Sequence, residues 1–87
     1  MLMSNAVPLR LVYRFLRPGH VAEIRERTVS QIRGFEFLVF INGSLIESQM
    51  FHDDRIGMYA HELQACCARF RDGGWMEDPT FVARSHG

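Results

Sequence analysis

Residues 35–51 read Phe-Glu-Phe-Leu-Val-Phe-Ile-Asn-Gly-Ser-Leu-Ile-Glu-Ser-Gln-Met-Phe. Phe35, Phe37, Val39 and Ile41 alternate with Glu36, Leu38 and Phe40, the period-two pattern of a strand with one buried face. Asn42-Gly43 then interrupts the run. Both central residues of a type I′ turn need φ > 0, and Asn-Gly meets that need, so the stretch predicts a two-residue hairpin. An unbroken ladder from this turn sets Ile41 opposite Ser44, Val39 opposite Ile46, Phe37 opposite Ser48 and Phe35 opposite Met50 on the core face. The other face then carries Phe40 with Leu45, Leu38 with Glu47 and Glu36 with Gln49.

Downstream, residues 54–72 predict an amphipathic helix. Asp53 or Asp54 can cap it, and both charges suit the positive end of its dipole. Ile56, Ala60, Leu63, Cys67 and Phe70 recur at steps of four and three as an apolar stripe, flanked by Tyr59 and Cys66. Gly57 is either a point of close approach or a tolerated cost. Gly73-Gly74-Trp75 predicts a Schellman ending, with Gly74 left-handed and Trp75 brought onto Phe70. Residues 76–87 hold no sustained period and read as a mobile tail, with Phe81 and Val82 free to dock.

Upstream, residues 1–8 read as a flexible arm; they lack the basic and long apolar regions of a signal peptide. Leu9, Leu11, Tyr13 and Phe15 then alternate with Arg10, Val12, Arg14 and Leu16, which predicts a strand. Pro18-Gly19 is the residue order of a type II turn. Residues 21–32 admit two readings. As a returning strand they set Glu23 opposite Arg14, yet an unbroken ladder also sets Glu26 opposite Leu11 and Arg27 opposite Arg10, so a bulge is needed. As a helix, Val21, Ile24, Thr28 and Ile32 share a face.

These elements predict an α+β fold: an antiparallel four-stranded meander with one C-terminal amphipathic helix packed on one face. The alternative is strand–helix–strand–strand–helix. The order of four strands and then a helix resembles the arrangement in a class of single-stranded-DNA-binding coactivators, a likeness of arrangement with no shared motif. At 87 residues the chain is one domain, here residues 9–75, burying roughly 60–65% of its unfolded surface.

Composition narrows the function classes. Net charge is zero, which argues against a strong electrostatic grip on nucleic acid or anionic membrane. All ten cations are Arg, so lysine chemistry is absent. No stretch reaches the eighteen or so apolar residues that span a bilayer. The two cysteines, Cys66 and Cys67, are adjacent; side chains about 100° apart on a helix close no unstrained disulfide, which points to a reducing cytoplasm, in keeping with a bacterial protein. They also lack the spacing of a zinc site. His20, His52, His61 and His86 form no helical metal motif, and His52-Asp53-Asp54 reads as a helix start. Nucleophile-elbow, phosphate-loop and dinucleotide signatures are all missing. The expectation is therefore a protein with no catalytic residues, cofactor or metal.

Two surfaces remain. The sheet face away from the helix gathers Leu38, Phe40, Leu45, Val12 and Leu16, an apolar patch of the kind that meets a partner. It points to a protein-interaction module that self-associates as a homodimer. The competing reading is single-stranded nucleic acid held by Arg10, Arg14, Arg25 and Arg27 with Phe40 as a stacking ring.

Overall fold

The structure, a computed structural model, describes residues 9–81. The chain runs through β1 (Arg10–Arg17), β2 (His20–Val29), β3 (Gly34–Ile41), β4 (Ser44–His52), α1 (Ile56–Asp72) and β5 (Met76–Glu77). The strands form one antiparallel sheet in the order β4-β3-β2-β1-β5, and α1 lies across one face. The expected arm, residues 1–8, lies outside the described residues, as does Val82.

Local turn chemistry behaves as its residues require. Gly19 has φ +78°, the left-handed second position after Pro18. Asn42 and Gly43 both have positive φ, +50° and +85°. Within residues 21–32 the strand reading holds as far as Val29, and Ser30–Ile32 form a 3₁₀ turn that ends in a left-handed Arg33.

Two bulges change the expected registers. In the β1–β2 ladder Val12 is extra, so Leu11 faces Arg25 and Arg10 faces Glu26. This removes both conflicts of the straight register. Arg10 now donates to Glu26 across the strands at 2.8 Å, and Arg14 still faces Glu23. In the β3–β4 ladder the shift falls between Val39 and Phe40, leaving Ile46 as the extra residue. Val39 therefore faces Glu47, Phe37 faces Gln49 and Phe35 faces Phe51, correcting the straight pairing at every position beyond Leu45. The gain is aromatic: Phe51 reaches the helix side, where its ring meets Phe37 and Tyr59.

The core lies between that face and α1. It consists of Phe15, Ala22, Ile24, Phe37 and Val39 from the sheet and Tyr59, Leu63, Cys66, Cys67 and Phe70 from the helix. The helix is turned relative to the expected stripe: Ile56 and Ala60 are exposed, while Tyr59 and Cys66 face inward. An aromatic at 59 stacks into the cluster of Phe35, Phe37 and Phe51, and that cluster sets the rotation. Asp53 and Asp54 form a 3₁₀ turn before the helix and make no side-chain capping bond, so the expected cap is absent.

The helix end matches the Schellman geometry. Trp75 N–H donates to Phe70 O at 3.0 Å, Gly74 N–H to Arg71 O at 3.1 Å, and Gly74 has φ +88°. The Phe70 and Trp75 rings meet edge to face, 5.3 Å apart. The chain leaves this cap pointing back along β1. Residues expected as tail thus add a fifth strand: Glu77 faces Phe15, Met76 faces Leu16, and Asp78 N–H donates to Arg14 O at 2.8 Å.

Leu63 sits mid-helix within the core cluster, and Leu63→Ala will cost about 2–5 kcal/mol, read as a lower urea midpoint. Two glycines separate in sign. A Cβ on Gly34 would run into the backbone oxygen of Phe51, so Gly34→Ala will destabilise strongly; a Cβ on Gly57 meets nothing within 4 Å, so Gly57→Ala will stabilise by up to ~1 kcal/mol in the same assay.

Candidate interaction surface

Cross-strand register defines the sheet face opposite α1 as rows. One row runs Arg14, Glu23, Phe40 and Leu45; a second Leu11, Arg25, Leu38 and Ser48; a third Arg27, Glu36 and Met50. Every row holds both charged and apolar groups, and the long cationic stems lie beside apolar neighbours.

The apolar candidates separate in this arrangement. Leu38 is only 8% exposed despite having no helix above it, because Arg25, Ser48, Glu36 and Phe40 surround it in the pleat. Phe40 and Leu16 are half-buried, and Leu45 is 53% exposed. Val12 leaves the set: the bulge turns it toward the inner core, against which it packs, and Leu11 takes its place on the outer face.

All four candidate cations are paired. Arg10 belongs to the inner face, bound to Glu26, whose second oxygen accepts from the Tyr59 hydroxyl at 2.8 Å. Burial, and then that bond to a carboxylate, push the Tyr59 phenol well above its ordinary range. Arg25 donates to Glu23 at 2.8 Å, and Arg27 Nε donates to the buried Glu36 at 2.8 Å. Arg14 Nε lies 3.4 Å from Asp78. The Thr80 hydroxyl and N–H donate to Asp78 and hold its carboxyl below the usual range, with Arg14 adding to the effect. Each of these cations has a carboxylate within 4 Å that partly neutralises its charge.

Exposure concentrates instead along β4 and the turn after it. Among the described residues the exposed large apolar side chains are Leu45, Ile46, Met50, Ile56, Met58 and Met76, and all but Met76 belong to β4 or the first turn of α1. Met50, Met58 and Ile32 line an open depression of about 690 Å³ together with Arg33, Phe51, His52, Asp53, Asp54 and Arg55. His52 Nδ1 lies 3.1 Å from Ile32 O, a contact that holds the ring against the backbone. Ile46 lines a smaller cleft of about 230 Å³ with Val39, Ile41, Cys66, Phe70 and Trp75, where Glu47 and Arg69 sit 3.6 Å apart at its polar side.

Ile46 and Met50 were not legible as surface residues, because the straight register turns both inward. The signal was Phe51: that register leaves an aromatic residue on the solvent side beside an aromatic core, a conflict one bulge removes.

Cys66 and Cys67 are free and buried. Burial pushes the Cys66 thiol up, partly offset by Arg69, and pushes Cys67 up to about 12, with Cys66 adding to the rise. A thiol held this high is a poor nucleophile at neutral pH. No group of three or more His, Cys, Asp or Glu side chains suited to a metal ion occurs among the described residues. No helix among them is long and apolar enough to cross a membrane. No protein-family model, curated protein or solved structure matches the chain.

The raised Cys67 pKa has a pH consequence. The folded state keeps a proton that the unfolded chain loses near pH 9, so this stabilisation is complete below pH 9 and is lost as pH rises toward 12. Urea midpoints will fall between pH 9 and 11, and Cys67→Ala will flatten that fall.

Proposed function

We propose that this protein is a non-catalytic interaction module that self-associates through the outer sheet face, on its β4 side. The observation that carries the reading is the exposure of Leu45 and Met50 on β4, while the centre of the same face is closed by Arg–carboxylate pairs. Water-facing Leu45 and Met50 gain roughly 1.5–3 kcal/mol each when fully covered. Two-fold symmetry doubles the contribution, enough to offset much of the entropy lost on pairing.

The same reading takes the chain to be a bacterial cytoplasmic protein acting without cofactor or metal. Its support is the pair of adjacent, free cysteines, which suits a reducing compartment.

Sedimentation velocity over a concentration series tests the proposal. A homodimer at micromolar concentration is expected, insensitive to added salt because its contact is apolar rather than ionic. Phe40 faces Leu45 at the border of the exposed strip, so Phe40→Asp will weaken the dimer while the chain stays folded. A wild-type protein monomeric at every concentration overturns the reading.

A further inference from the structure

We infer that β4 pairs with β4 of a second copy, antiparallel about a twofold axis at Ser48, so that one sheet continues through two chains. This rests on the self-association reading and adds its geometry.

β4 is a strand of nine residues with β3 on one side and, among the described residues, no strand on the other. The opposite edge differs, since β1 is partly shielded by β5. Asp53 N–H donates to Arg33 O at 2.8 Å, and that bond sets the alternation along the ladder. Phe51 and Gln49 then bond to β3, whereas Ser48 and Met50 direct N–H and C=O outward. An exposed edge is normally guarded by Pro or Lys. β4 has neither, and its one carboxylate, Glu47, is occupied by Gln49 at 2.8 Å and Arg69 at 3.6 Å.

Charge selects the occupant and the register. With the axis at Ser48, Glu47 lies opposite the partner's Gln49, a donor for the carboxylate, and the relation repeats by symmetry. Met50, 51% exposed in the single chain, then lies opposite the partner's Ile46 bulge. An axis at Gln49 sets Glu47 against the partner's Phe51. An axis at Met50 sets it against the partner's Asp53, a like charge. The strand is thus complementary to itself in one register.

Ser48→Pro removes an outward N–H that β3 does not use, a position where an edge strand tolerates proline. In sedimentation of the full-length chain it will raise the dimer Kd by about a hundredfold or more, with circular dichroism unchanged. Independently, Ser48→Cys sits on the axis and will form an intermolecular disulfide under mild oxidation, reversed by dithiothreitol. Ser44→Cys and the wild type, whose cysteines are buried, will not. The crosslink decides the matter if the proline variant fails to fold. A wild-type dimer with no Ser48→Cys crosslink, or one that folded Ser48→Pro leaves intact, overturns the edge pairing while the interaction reading stands. A wild-type monomer overturns both.

Discussion

One helix cannot cover five strands on two sides, and most of this molecule follows from that limit. A helix is about 10–12 Å across with its side chains. Five strands spaced roughly 4.8 Å apart span nearly twice that width. α1 therefore lies along the middle of one face, over Phe15, Ile24, Phe37 and Val39, and the remaining apolar surface must be closed by other means. On the helix side the means is aromatic. Tyr59 packs against the rings of Phe35, Phe37 and Phe51 at one end of α1, and at the other Phe70 stacks on Phe15 and meets Trp75 edge to face.

The open face is closed by charge. Arg25 with Glu23 and Arg27 with Glu36 lay paired side chains around Leu38, which becomes nearly as buried as a core residue. The pairs are partly buried, and their hydrogen bonds satisfy groups that would otherwise lose water without return. Each cation of this face, Arg14, Arg25 and Arg27, has an acid beside it. What charge does not reach is the β4 side, where Leu45, Ile46 and Met50 stay half in water.

Both bulges serve the same division of faces. At Val12 the extra residue moves Arg10 inward to Glu26, where the Tyr59 hydroxyl completes a polar contact beneath the helix start. At Ile46 it moves Phe51 inward and Met50 outward. Each exchanges a register with a misplaced side chain for one that pairs Arg10 with Glu26 or brings Phe51 to the aromatic core, at the cost of a local break in the ladder.

The sequence by itself determined the elements whose causes are local. Asn42-Gly43 dictated its turn because both residues accept positive φ; Gly74 and Trp75 dictated the helix end because one accepts the left-handed cap and the other packs back on Phe70. Strand periodicity and the helix span were legible for the same reason. The apolar candidates Leu38, Phe40, Leu45 and Leu16 were found on the predicted face, but their exposure was not, since it depends on which arginine stems lie across them. Tertiary structure alone decided the bulges, the rotation of α1 toward Tyr59 and the pairing of Met76–Glu77 with β1. Each is a choice among partners distant in sequence, made by aromatic packing and ion pairing, and His20–Val29 is a strand because β1 and β3 pair with it on either side.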